Sequence, residues 1–207
     1  MRTSSKLTSI AYFILAAAFV AAIPFAPYPG SWLLKAAPIL VLAHFQWRRS
    51  KKPSDRLLLI GLLLSALGDV LLNISSQLFV GGLVSFLMAY ALYAFAFYQK
   101  REPTPFRIGI SVAEGWYSIA LLWLLLPSLG SMTVPVIAYM TVITTMAALA
   151  ILRGDKHYYV GLGALILMAS DTLLAVNHFV VPIPYGEFPE MITYYLGQYL
   201  IVYGCSR

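Results

Sequence analysis

Apolar runs of 17 to 22 residues recur along this chain, parted by short polar connections. They fall at about 8–25, 31–47, 56–75, 78–99, 106–126, 132–152, 157–178 and 188–205. A bilayer's hydrocarbon core is about 30 Å thick and takes about 20 apolar residues per helix. The connections hold turn residues, such as Pro24, Pro27, Pro29 and Gly30. The pattern predicts an all-α polytopic transmembrane bundle of eight helices. It leaves no soluble domain and no long linker, so residues 1–207 read as one transmembrane domain. The first run follows Arg2 and Lys6 and resembles a secretory signal between Ile10 and Ile23. A run of similar or greater apolarity follows each short loop, so we expect this first helix to be retained.

Composition agrees. The chain is 60% hydrophobic and 11% charged, where a soluble domain is about a quarter charged. The formal charge of +6 would suit a nucleic-acid partner, but its placement argues otherwise. Arg2 and Lys6 precede the first run. Arg48, Arg49, Lys51, Lys52 and Arg56 fill the second connection, Lys100, Arg101 and Arg107 the fourth, and Arg153 and Lys156 the sixth; Arg207 ends the chain. Together these are 13 of the 14 Lys and Arg residues. The odd-numbered connections (25–30, 74–77, 127–131, 179–187) have none. That is the positive-inside pattern, and it predicts both termini in the cytoplasm. We expect a bacterial inner membrane, membrane lipid as surroundings and no nucleic-acid partner. The single Cys205 excludes an internal disulfide and a multi-cysteine zinc site.

A weak internal repeat is visible. Gly61–Leu72 aligns with Gly163–Leu174, and the two share a small residue, Asp, one variable residue and Leu-Leu: Gly68-Asp69-Val70-Leu71-Leu72 against Ser170-Asp171-Thr172-Leu173-Leu174. Both segments run from inside to outside as the third and seventh helices. The chain then divides into possible parallel halves, 1–104 and 105–207.

A charge at mid-bilayer costs roughly 3 kcal/mol or more, so ionisable residues there are functional candidates. They are Lys35, His44, Asp69, Glu114 and Asp171. At about 1.5 Å per residue, Asp69, Asp171 and Lys35 each lie about 20 Å from the inner face. Tyr139, Tyr194 and Tyr195 reach the same expected layer from the outer side. Glu114 sits a layer lower with Tyr90 and Tyr93, and we expect it to support the site. Asn73 lies one turn from Asp69, and Asn177 lies near Asp171; either residue could instead cap a helix. Gln198 is a candidate for the cavity wall. Two carboxyls in one dry layer can hold a single proton between them, giving a general acid beside a carboxylate. Lys35 could serve that pair, or it could snorkel outward or form a purely structural ion pair. His44, His157 and His178 lack metal-ligand spacing. There is no Ser-centred nucleophile motif and no phosphate-binding glycine loop.

At these residues the chain resembles the YhhN-like lysoplasmalogenase family over nearly its whole length. Leu67-Gly68-Asp69-Val70-Leu71-Leu72 and Ser170-Asp171-Thr172-Leu173-Leu174 carry the resemblance most specifically. Lys35 with Pro38, Phe86 to Tyr93, Tyr139 with Met146, and Tyr194-Tyr195 with Gln198 support it. Members often have His where this chain has Tyr90. Their Lys-Pro is spread here to Lys35-Ala36-Ala37-Pro38. The resemblance implies hydrolysis of the vinyl ether bond of a lysoplasmalogen, a lysophospholipid substrate. The products would be a fatty aldehyde and glycerophosphoethanolamine or glycerophosphocholine. Asp69 and Asp171 would be the catalytic pair, with no cofactor and no metal.

Two other readings compete. Parallel repeats with mid-membrane acids also suit a proton-coupled carrier of small molecules or lipid. Against it, the two halves show no matched broken helices, since Pro38 and Pro135 are not equivalent under the repeat. A membrane assembly factor without chemistry would tolerate Ala at both aspartates.

Overall fold

The computed structural model describes residues 2–154 and 158–206, with side chains from Lys6 onward. Lys156, His157, Arg207 and the expected start of the seventh helix lie outside the described residues, as does the side chain of Arg2. The all-helical expectation holds. Among the described residues the α-helices are α1 (Arg2–Ala22), α2 (Ser31–Trp47), α3 (Pro53–Ile74), α4 (Phe79–Tyr98), α5 (Pro105–Leu129), α6 (Thr133–Ile151), α7 (Tyr159–Phe179) and α8 (Glu187–Cys205). No strand is present among them, only one antiparallel bridge between Arg101 and Arg153.

Helix starts follow local chemistry. Gly30 precedes α2 at φ 83°, a left-handed conformation that suits glycine. Pro53 opens α3, where its missing N–H costs nothing, and Asp55 Oδ2 accepts from the amides of Lys51 and Lys52. Thr104 caps α5 by accepting from the Arg107 amide at 3.4 Å. Pro38 lies inside α2 and Pro127 inside α5; neither ends its helix.

Among the described residues, five segments are long and apolar enough to cross a membrane: Lys6–Phe25, Pro53–Ile74, Ser76–Tyr98, Pro105–Ile151 and Tyr159–Phe179. The fourth runs through α5, a turn at Gly130–Met132 and α6. Outside these five are α2, which has only 17 residues, and α8, which opens with Glu187 and Glu190. These two helices carry Lys35 and Gln198. The exposed surface is apolar: Ile14, Leu33, Leu63, Phe95, Trp116 and Trp123 all stand outward. Lys35, Asp69, Glu114 and Gln198 are buried instead. Greasy residues outside and polar residues inside invert the arrangement of a soluble protein. The chain is an integral membrane protein that crosses the bilayer several times.

Two compact units divide the chain, residues 1–96 and 97–207. In the first, α2 packs on both α1 and α3. The α3–α4 seam is close-packed, since a Cβ on Gly68 would collide with the Phe86 ring, and one on Gly82 with Leu72. In the second, α7 and α8 form the tightest pair, and α5, α6 and α7 pack together. There the start of the α4–α5 connection is tied to the end of α6: the Glu102 amide donates to Leu152 and the Gly154 amide to Lys100, each at 2.9 Å.

Candidate functional site

In the first unit, Asp69 is 2% exposed and Lys35 is 7% exposed. The register of α2 against α3 relates them. Ser31 Oγ donates to Asn73 Oδ1 at 2.6 Å. Ser31 lies one turn before Lys35 on α2, and Asn73 lies one turn after Asp69 on α3. The helices are antiparallel, so one turn deeper the same seam sets Lys35 level with Asp69. Asn73 therefore bonds across the seam and does not cap α3. Lys35 Nζ also lies 5.9 Å from the Phe19 ring centroid, on α1. Below Asp69, Phe86, Tyr90 and Tyr93 form an aromatic ladder with ring centroids 6.1 and 6.4 Å apart. Both tyrosines are fully buried.

In the second unit, the Tyr139 hydroxyl donates to Asp171 Oδ2 at 2.6 Å. This joins α6 to α7 at the carboxyl. Beside it, the Tyr117 hydroxyl donates to Thr172 Oγ1 at 2.8 Å, joining α5 to the same turn. Glu114 lies one turn before Tyr117 and is 6% exposed. Its Oε1 accepts from Ser118 Oγ at 3.4 Å, and Thr144 on α6 donates to that hydroxyl at 2.8 Å. Glu114 Oε2 is buried with no hydrogen-bond partner. Such an oxygen is costly to bury unmade.

The α7–α8 seam shows where the remaining candidates stand. Gly163 and Gly197 let the two backbones nearly touch: a Cβ at Gly197 would lie 2.8 Å from the Gly163 carbonyl oxygen. Gln198, fully buried, follows Gly197. Gly197 faces Gly163 and Leu167, which precede Asp171 by eight and four residues, so Gln198 lies roughly 6–12 Å along the seam from it. Tyr194 and Tyr195 are buried, with ring centroids 5.3 Å apart, between Gln198 and the start of α8. Asn177 holds the connecting segment, accepting from the Ile183 amide at 2.7 Å.

Sequence reasoning missed Glu190. Ser170 Oγ donates to the Glu190 carbonyl at 2.8 Å, which puts the first turn of α8 beside Asp171. The Glu190 side chain is 8% exposed. An acid in the first turn of a helix ordinarily serves the helix dipole at the surface, so its position gave no sign of burial. The one available signal was its proximity in sequence to Tyr194-Tyr195.

Comparisons with known proteins bear on this arrangement. A sequence model of the YhhN family matches residues 30–205. The chain is 35% identical over 181 residues to lysoplasmalogenase TMEM86B of Homo sapiens, covering 86% of this chain and 77% of that protein. It is 34% identical over 186 residues to human lysoplasmalogenase TMEM86A, covering 83% and 76%. A lysoplasmalogenase of Mycobacterium tuberculosis is 31% identical over 156 residues, covering 72% of this chain and 60% of its own. No solved structure matches the chain. With a family match that spans most of its length, both Asp-centred segments included, the chain belongs to the YhhN family.

Proposed function

We propose that this protein is a membrane-embedded lysoplasmalogenase that hydrolyses the vinyl ether bond of a lysoplasmalogen. The observation that carries the reading is the Tyr139–Asp171 bond at 2.6 Å, in a family whose named relatives are lysoplasmalogenases. A carboxyl fixed by a buried hydroxyl is a group whose proton and charge are under control. Asp69, buried and set level with Lys35 by the α2–α3 register, is the second carboxyl. In this reading all of α1 to α8 cross the membrane, both termini are cytoplasmic, and the location is a bacterial inner membrane.

The chemistry needs a proton and a water molecule. One of Asp69 and Asp171 gives its proton to the alkene carbon farther from the ether oxygen, leaving an oxocarbenium ion. The other, as carboxylate, stabilises that cation and takes a proton from the water that attacks it. The resulting hemiacetal collapses, its hydroxyl proton passing to the glycerol oxygen. A fatty aldehyde and glycerophosphoethanolamine or glycerophosphocholine leave. Lys35, Asn73, Tyr139, Tyr194, Tyr195, Gln198 and Glu114 position the pair and the substrate headgroup.

The test is aldehyde release from a lysoplasmalogen by detergent-purified protein. General acid catalysis is worth about 10²–10⁴-fold, so Asp69→Asn and Asp171→Asn should each lower kcat by at least about 10²-fold. Retention of full activity by either variant would refute the pair. A carrier would release no aldehyde and show only uptake into vesicles.

A further inference from the structure

A cleft of about 340 Å³ opens in the second unit between the start of α5, the end of α6 and the start of α7. Its wall is almost wholly apolar, with Ile110, Ile151, Leu162 and Leu165 among the residues that line it. Arg107 and Arg153 border it, but their guanidinium groups are engaged elsewhere. They lie over the Tyr158 and Phe97 rings, each at 5.2 Å, and Arg153 Nη1 donates to Cys205 Sγ at 3.4 Å. A cavity of this size with so little polar lining suits a hydrocarbon. Phe106 and Leu162, both well exposed, form lips that open outward.

The cleft is the foot of a longer seam. The Tyr117 hydroxyl donates to Thr172 Oγ1, which sets the register of α5 against α7. Ile110 and Leu165 stand seven residues before them, two turns down the same helix faces. Between these levels lie Ala113 on α5 and Ala169 on α7, both exposed. Two small side chains there leave a groove that leads from the cleft to Thr172, the neighbour of Asp171. Glu114 is engaged toward α6 instead, through Ser118 and Thr144.

A lysoplasmalogen that reacts at Asp171 has one long chain to house, and depth decides which way it points. Asp171 lies eight residues from the end of α7 at Phe179, about 12 Å, and twelve from its start at Tyr159, about 18 Å. The phosphate is five bonds, roughly 6 Å, from the vinyl ether oxygen. Only the Phe179 end therefore brings the headgroup close to water, and the chain points down α7 toward the cleft. C–C bonds of about 1.5 Å advance an extended chain by about 1.25 Å per carbon. Gly161, on the cleft wall, is ten residues from Asp171, about 15 Å or about twelve carbons away. A cavity of about 150 Å³ holds benzene, so the cleft takes roughly four to six carbons more.

We propose that the α5–α7 seam holds the alkenyl chain of the substrate, and that the cleft at its foot selects chains of about sixteen to eighteen carbons. This rests on the lysoplasmalogenase reading and on Asp171 taking part in the chemistry. The chain is already in lipid before it binds, so the cleft adds little hydrophobic gain. What it adds is a fixed chain end, which holds the vinyl ether at the level of Asp171. The positive-inside pattern turns the Phe179 end outward, so the substrate comes from the outer leaflet.

Two measurements on the full chain in detergent test the groove. The first compares aldehyde release from decenyl and hexadecenyl lysoplasmalogens of one headgroup. A decenyl chain spans about 11 Å and stops short of Leu162, which is nine residues, about 13 Å, from Asp171. We expect kcat/KM to favour the hexadecenyl substrate by about ten-fold or more, the least that a fitted apolar pocket discriminates. Leu162→Trp fills the cleft from an exposed position. It should remove about that factor from the hexadecenyl substrate and change the decenyl one by less than about two-fold. Ile119→Trp, exposed on the opposite face of α5, should change neither. The second measurement needs no turnover: a hexadecyl ether lysophosphatidylcholine with a diazirine at its chain end is photo-crosslinked and the adducts are mapped. Label concentrated on Ile110, Leu162 or Leu165 is the expected result. Label spread evenly over the lipid-facing residues, Trp123 included, would overturn the proposal, as would an unchanged chain-length preference in folded Leu162→Trp. Absence of aldehyde from either substrate with the wild-type protein would instead refute the lysoplasmalogenase reading itself.

Discussion

At the residue scale, the Tyr139–Asp171 bond is the clearest piece of design in the chain. A hydrogen bond to a charged group is worth about 1.5–3 kcal/mol. Here it fixes the rotamer of a carboxyl that the proposed chemistry needs in one place. Tyr139→Phe keeps the ring, and with it the packing of a residue only 7% exposed. We expect kcat to fall about ten-fold or more from loss of the charged-group bond, with KM and thermal stability little changed. An equal loss of folded yield and activity would show that the hydroxyl is structural instead. Ser170, the neighbour of Asp171, donates to the Glu190 backbone carbonyl, so Glu190 begins α8 at a level that depth counting alone did not give it.

At the scale of elements, the α7–α8 seam depends on the absence of two side chains. A Cβ on Gly197 would meet the Gly163 carbonyl oxygen at 2.8 Å and the Leu167 amide at 2.9 Å, and backbone cannot swing aside. Gly197→Leu should therefore prise α8 from α7 and destabilise the protein by about 2–3 kcal/mol, as overpacking does. Gly109, with nothing within 4 Å of its Cβ position, is the control; its replacement by Ala should be neutral or slightly stabilising. Thermal denaturation in detergent reads both, and equal melting temperatures for the two variants would contradict the close contact. The helices themselves were legible in the sequence, because apolar length and turn residues act locally: the 31–47 run is α2, residue for residue. Register was not legible. Depth counting assumes that neighbouring helices begin and end level. The segment after α7 instead lets α8 begin beside Asp171. That is why Glu190 was missed. Arg107 and Arg153 were read as topological charges, and no local pattern showed them buried.

At the scale of the whole molecule, the proposed topology makes each connection a separate claim. Basic residues crowd the connections 48–56, 100–107 and 153–156 and are absent from 74–77, 127–131 and 179–187. If the charges set orientation, the first group faces the cytoplasm and the second faces out. The short α2 and the polar-headed α8 decide the matter, since neither meets the length and apolarity of the other spans. Were α2 to lie at the surface, the connections before and after it would share a side. A Cys205→Ser background allows a direct check with a membrane-impermeant maleimide on intact cells. Lys51, Gln77, Glu102, Ser131 and Tyr185 are all exposed, and each can be replaced singly by Cys. Gln77→Cys, Ser131→Cys and Tyr185→Cys should label from outside, while Lys51→Cys and Glu102→Cys should label only after lysis. Labelling of Lys51→Cys from outside would reverse the first unit. Labelling of Pro27→Cys only after lysis, with Lys51→Cys also inside, would take α2 out of the membrane. Lys35 would then lose the dry surroundings that its pairing level with Asp69 requires, so the proposed catalytic role of the first unit stands or falls on whether α2 crosses.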